Sequence, residues 1–481
     1  MTRDTVLVGL AVVASLLTGC GEVSPPSPAP SAGVPLEQRI DAVVQPLVDD
    51  GWTQGMIVGV LQDGKEHYFS FGSTSSEEAT PPDENTVFEI GSITKVFTAI
   101  TLADMASKQE VKLDDPVEDF LPDDIKIPSP GGKPITLESL ATHTSGLPVI
   151  SANFWVDGDK IYDNNAAGLR WGKYSEAQLR DYFNAPSPPL DDARKYVYSN
   201  LGVGLLGHAL ERESGVSIEQ LIADRVCGPL GMKSTSFTNE PTATGHDADG
   251  NPVDLWAERD SVLGGAFALR STCKDMLAFA KANLNPESSP LEDALKSALQ
   301  SRAEINELES TAFGWKRNKH GVIYTVGATG GFRCALFLHS VTKTAVVTMA
   351  NTQVGGGTGG RAALFDAFTG SLLNVTLGVP PLEIEFPSPA PSSGAAIEDF
   401  IGAYRPEDGS QDPSFPIRVE SGKLLTIGPG KMEMRLWPKG DSMFFLRSYI
   451  AEIKFLRDDS GDVTGADLQF EGNRVRLKRF K

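Results

Sequence analysis

The sequence predicts an α+β fold, an antiparallel sheet flanked by helices, followed by a small antiparallel β-barrel. Three observations carry this. Leu36, Ile40, Val43, Val44, Leu47 and Val48 recur at helical spacing on one face. The apolar runs Met56–Gln62 and Glu66–Phe71 then flank Asp63-Gly64, a dipeptide suited to a two-residue hairpin turn because both positions tolerate positive φ. At the far end, short alternating runs from Phe415 onward, among them Ile417–Val419, Leu424–Ile427, Met432–Leu436, Ile453–Phe455 and Val475–Leu477, are broken by Ser-Gly, Pro-Gly, Lys-Gly and Glu-Gly turns. Strands so spaced form a meander that loses its exposed edges by closing into a barrel.

The chain is long enough for two to three domains, and 40% hydrophobic with 22% charged residues is ordinary for globular protein. A net charge of −20 excludes nucleic acid as a partner, because affinity there rests on neutralising phosphates. Six scattered histidines form no ligand cluster, and no Cys-x-x-Cys pair, His-Glu-x-x-His or Gly-x-Ser-x-Gly motif is present, so the sequence calls for no metal and no cofactor.

In chain order, Met1 to Cys20 combines Arg3, an apolar run from Val6 to Leu17 and the ending Leu17-Thr18-Gly19-Cys20. It is too short to span a bilayer and reads as an export signal. The ending resembles a bacterial lipobox, which implies lipidation at Cys20 and a protein anchored to a membrane, facing the periplasm or the cell exterior. Residues 21–35 are rich in proline and serine and form a tether. A folded unit is expected over 36–374, a second Pro/Ser-rich linker over 375–396 and the barrel over 397–481. Thr136 to Pro148 reads as a capped helix that ends at Gly146, with His143 as a helix-end residue meeting the last carbonyls rather than a base.

The stretch that carries chemistry is Phe88-Glu89-Ile90-Gly91-Ser92-Ile93-Thr94-Lys95. Ser92 and Lys95 are three apart at the start of a predicted helix whose next apolar residues, Val96, Phe97, Ile100 and Met105, indicate burial. A buried lysine loses the charged form and can take a proton from a serine hydroxyl. Ser271 to Lys274 and Ser340 to Lys343 share the spacing without that context. Downstream, Tyr196-Val197-Tyr198-Ser199-Asn200 precedes a leucine-rich helix.

The octet at Ser92 together with Tyr198 and Asn200 resembles the signatures of class C β-lactamases, penicillin-binding proteins and D-alanyl-D-alanine carboxypeptidases. The resemblance runs from about Val34 to about Thr369 and implies a β-lactamase/transpeptidase-like fold with a helical subdomain. It also implies an amide hydrolase that forms an acyl-enzyme at Ser92, with Lys95 and Tyr198 moving protons and Asn200 binding the substrate amide. An esterase or D-peptide amidase on the same fold, or a scaffold that has lost turnover, is the alternative. The tyrosine is expected to act as a phenolate held by a cationic lysine. The barrel resembles the lipocalin-like tails of related hydrolases.

One motif departs from the family. Thr325-Val326-Gly327-Ala328-Thr329-Gly330-Gly331-Phe332 stands where relatives carry Lys-Thr-Gly or His-x-Gly, so Thr325 replaces a cation. Gly327 still allows close approach of the strand, and the Ala328 N–H is expected to join that of Ser92 in an oxyanion hole. Arg333 is the nearest alternative cation for a substrate carboxylate. The regions that related folds bring together suggest a disulfide between Cys273 and Cys334, leaving Cys227 as a buried thiol.

Overall fold

The computed structural model describes residues 33–480 apart from 78, 155, 158–159, 162–170, 186–189, 191–194, 257–260, 355–359, 383, 385, 391–395, 408–414, 428–432 and 471. The export signal, Cys20 and most of the first tether lie outside the described residues.

The amphipathic stretch forms helix α1 (Leu36–Asp49), which buries Ile40, Val44 and Leu47. Strands β1 (Gly55–Gln62) and β2 (Lys65–Gly72) follow as the expected hairpin, with Asp63 at φ 52° and Gly64 at φ 73°. Strand β3 (Val87–Glu89) leads through a tight turn at Gly91–Ile93 into helix α2 (Thr94–Ser107), buried almost throughout. Ser92 therefore sits in the turn ahead of the α-helix, where its backbone N–H is not taken by the ladder of α2. Helix α3 (Leu137–Ala141) begins with a reciprocal capping box between Thr136 and Ser139 and ends at Thr142, earlier than the glycine suggested. Helix α4 (Asn200–Ser214) is capped by Ser199. Strand β4 (Arg270–Thr272) pairs with β3, and helix α5 (Cys273–Leu284) continues from it.

The remaining strands of the large sheet are β5 (Ala303–Asn306), β6 (Glu309–Thr311), β7 (Lys316–Asn318), β8 (Val322–Ala328), β9 (Arg333–His339) and β10 (Thr344–Ala350). The sheet runs β2-β1-β10-β9-β8-β7-β6-β5, with every pairing antiparallel. Because both faces are covered, the central strands are apolar on both sides. One face packs Val58, Phe337 and Val346 on Ile40 of α1 and on Phe365 and Phe368 of helix α6 (Gly360–Thr376). The other packs Ile57 and Val347 on Leu277 of α5 and joins the core of the helical subdomain around α2 and α4.

Eight strands, β11 (Gly402–Pro406), β12 (Phe415–Glu420), β13 (Lys423–Ile427), β14 (Glu433–Pro438), β15 (Met443–Phe445), β16 (Ala451–Arg457), β17 (Val463–Phe470) and β18 (Asn473–Phe480), close into a barrel. The first of them precedes the stretch the alternation marked, because β11 buries only Tyr404 and Pro406 and so shows little pattern. The barrel docks on the larger unit through apolar and polar contacts, with Phe445 stacked on Trp52. Asp249 accepts from the Trp437 indole N–H at 2.9 Å and from the Arg435 backbone N–H at 3.1 Å, and the Arg447 guanidinium lies between the rings of Trp52 and Trp437.

The expected disulfide is not formed. Cys273, Cys334 and Cys227 are all buried free thiols. The Cys273 sulfur lies against Gly59, only 2.5 Å from where a Cβ there would stand, while the Cys334 thiol donates to the Glu89 carbonyl at 3.5 Å. Each sulfur is directed at a different neighbour.

Candidate active site

Two glycines bring the Ser92 turn onto β8. Gly91 has φ +50°, and a Cβ there would stand 2.5 Å from the Ala328 carbonyl oxygen, while a Cβ on Gly327 would stand 2.0 Å from that of Ile90. Neither position has room for a side chain, so the two backbones touch and the Ala328 N–H is carried to the side of the serine. Thr94 locks the same turn. Its buried hydroxyl donates to the Gly91 carbonyl at 2.7 Å and accepts from the Leu269 N–H at 3.1 Å.

Lys95, one residue into α2, is 2% exposed. Its Nζ lies 2.8 Å from Ser92 Oγ and donates to the Ala266 carbonyl at 2.7 Å. No carboxylate pairs with it among the described residues, and burial lowers its pKa well below 10.5. The shift favours the neutral amine, whose lone pair can receive the Ser92 proton. Tyr198 donates its hydroxyl to Ser92 Oγ at 2.7 Å, and its ring centroid is 5.0 Å from Lys95 Nζ. Burial pushes its pKa up to about 12, against the smaller downward pulls of the Ser92 hydrogen bond and the Arg333 charge. Burial thus favours the neutral form of both groups, the amine and the phenol. The reason is that desolvation disfavours both charged forms.

The Tyr198 segment is held by His143. The Ser199 N–H donates to His143 Nδ1 at 3.1 Å, the Val197 N–H donates to the His143 carbonyl at 2.8 Å, and the imidazole lies 4.7 Å from the Tyr198 ring. Burial first, then the charges of Lys95 and Lys316, depress its pKa to about 3. His143 is thus a structural acceptor, with a backbone N–H as partner in place of helix carbonyls. Asn200 opens α4, half-buried, its side chain without a hydrogen-bond partner among the described residues.

Thr325 lies on the same face of β8 as Gly327, two residues on, and is 6% exposed. Arg333 is 4% exposed and its guanidinium is paired with Asp366 of α6, so the cation expected over the cleft is engaged on another helix. The other serines at the same spacing fail as nucleophiles. Ser271 is fully buried against Thr235 while Lys274 is exposed, and Lys343 is drawn to the Leu284 carbonyl. The Ala266 carbonyl had no signal in the sequence, because its role belongs to the backbone.

The beta-lactamase family model matches residues 40–371. A beta-lactamase of Pseudomonas fluorescens is 26% identical over 326 residues, covering 66% of this chain and 79% of its own. The D-alanyl-D-alanine-carboxypeptidase/endopeptidase AmpH of Escherichia coli is 27% identical over 295 residues, covering 58% of this chain and 74% of its own. Among solved structures, the octameric penicillin-binding protein homologue of Pyrococcus abyssi superimposes with a TM-score of 0.58 at 22% identity, over 92% of this chain and 98% of that one.

Proposed function

Because the chain belongs to the beta-lactamase family and is a serine hydrolase of that type, we propose that it cleaves an amide, a β-lactam or a D-alanyl peptide, through an acyl-enzyme on Ser92. The contact of three groups carries the reading: Lys95 Nζ and Tyr198 Oη lie 2.8 Å and 2.7 Å from one serine oxygen. Ser92 Oγ attacks the carbonyl carbon while its proton passes to neutral Lys95. Charge develops on the carbonyl oxygen between the N–H groups of Ser92 and Ala328. As the C–N bond breaks, the Tyr198 hydroxyl gives its proton to the leaving nitrogen, and the proton held by Lys95 then neutralises the Tyr198 phenolate. Water then enters by the reverse route, losing a proton to the same pair and releasing the acid, with the hydroxyl restored on Ser92. Asn200 is proposed to hold the substrate amide.

The test is intact-mass labelling with a fluorophosphonate and with benzylpenicillin. One adduct on Ser92, lost in Ser92→Ala with the fold intact, supports the reading, and a scaffold that had lost turnover would form none. The proposed location is a membrane, through lipid on Cys20, with residues 36–374 as the hydrolase, 375–396 as linker and 397–481 as the barrel. Failure to incorporate labelled fatty acid would remove the anchor. Thr325 taken alone favours the esterase alternative, since a threonine offers a carboxylate no charge.

A further inference from the structure

The loop from Gly245 to Trp256 touches three parts of the molecule at once. It is closed at its base by the Val253 N–H, which donates to the Gly245 carbonyl at 3.0 Å. Its tip is set by Asp247, whose carboxylate accepts from the backbone N–H groups of Asp249 and Asn251, each at 2.9 Å. Asp249 is not needed to close that tip. Its two carboxylate oxygens go to the barrel instead, accepting from the Trp437 indole N–H and from the Arg435 N–H of β14.

The base of the loop rests on the turn that follows Ala328. Residues Thr329 to Phe332 join β8 to β9, and the Thr329 N–H donates to the Phe332 carbonyl at 3.0 Å. The His246 N–H donates to the Gly331 carbonyl at 3.2 Å. A Cβ on Gly331 would stand 2.6 Å from Gly245 Cα, and one on Gly330 would stand 2.5 Å from Trp256 Nε1. Neither glycine has room for a side chain, so the loop seats directly on the backbone of the turn.

The same loop reaches the serine side. The Trp256 N–H donates to Glu89 Oε1 at 3.0 Å, and Glu89 ends β3, three residues before Ser92. Phe332 of the turn packs edge-on against Phe88 of β3, with ring centroids 6.1 Å apart. Ser92 and Ala328, whose N–H groups are the proposed oxyanion donors, thus stand on two segments that one loop ties together. The far end of that loop is held by the barrel.

We propose that the barrel braces the oxyanion hole, with Asp249 as the positioning residue that carries its hold to the Ala328 turn and to β3. This rests on the reading of Ser92 as nucleophile and Ala328 as second oxyanion donor. Donors aimed at developing charge work through fixed geometry, and a displacement of about 1 Å in such a site costs about a hundredfold in rate. The joint does not hang on Asp249 alone. Phe445 stacks on Trp52, and the Arg447 guanidinium donates to the carbonyls of Asp50 and Gly51, so the barrel stays docked when the Asp249 carboxylate is removed.

The experiment measures phosphonylation of Ser92 by a neutral fluorophosphonate, as kinact and KI, on the full-length wild type, Asp249→Ala, Trp437→Leu and the double variant. Each single variant should lower kinact by about ten- to hundredfold with KI little changed. The double variant should lose no more than the larger single loss, because the two side chains act through one contact. Asp467→Ala breaks a pair with Arg476 on β17 and β18, across the barrel from β14, and should keep the wild-type rate. The final amount of adduct separates this from misfolding: a merely structural loss lowers the labelled fraction but leaves kinact of that fraction unchanged, which would overturn the proposal. A wild-type kinact in either single variant would overturn it as well. Failure of the Ser92 reading has a different signature, since the wild type itself would take no adduct, and the proposal would fall with it.

Discussion

Lys95 and Arg333 are both buried cations beside the cleft, yet they are handled in opposite ways. Arg333 has a carboxylate, Asp366, against its guanidinium. Among the described residues Lys95 has a serine hydroxyl and a carbonyl oxygen as hydrogen-bond partners and no carboxylate. An ion pair lets a buried charge persist, whereas a lone amine gives up its proton instead, because desolvation of the charged form is not offset. The pairing partner thus decides whether a buried cation serves as scaffold or as base, even though the two side chains are almost equally enclosed.

The largest effect that could break this contrast is on rate. Lys95→Met should slow acylation of Ser92 by about a thousandfold or more, and Tyr198→Phe by about a hundred- to ten-thousandfold. The double variant should fall well short of the product of the two, because the groups act as a unit. Stopped-flow acylation measures this, and additive losses would mean the two residues do not share one proton path. A smaller effect sharpens the contrast from the other side. Asp366→Asn leaves the Arg333 charge buried without its carboxylate and should cost about 3 kcal/mol in urea unfolding, while Lys95→Met, which strands no charge, should leave stability near that of the wild type.

Much of the architecture could be read before any coordinates, and the reason is locality. Asp63-Gly64 between two alternating runs, Ser92 three residues ahead of Lys95 on an apolar helix, and Thr136 with Ser139 at a helix start all act within a few residues of themselves. What could not be read depends on register between distant strands. Lys316 meets Tyr324 through a pairing of β7 with β8 that lasts two residues. Arg333 is engaged by an aspartate 33 residues away. The Cys273 and Cys334 sulfurs belong to neighbouring elements yet are turned toward Gly59 and Glu89. The upward shift of the Tyr198 pKa was equally hidden, since it follows from enclosure rather than from residue type.

The central claim is that Lys95 is uncharged at neutral pH because it is buried alone. The pH dependence of Ser92 acylation by a neutral fluorophosphonate tests it most directly. Only the unprotonated amine accepts the serine proton, so the rate rises with pH through the Lys95 pKa and is flat above it. With that pKa depressed by burial, the rising limb should be complete far below 10.5 and should vanish in Lys95→Met. Stability follows the same linkage, increasing with pH between the depressed value and 10.5, because in that window the unfolded chain binds the proton and the folded chain does not. A wild-type limb centred near 10.5 would show that Lys95 is charged at neutrality and would contradict the account.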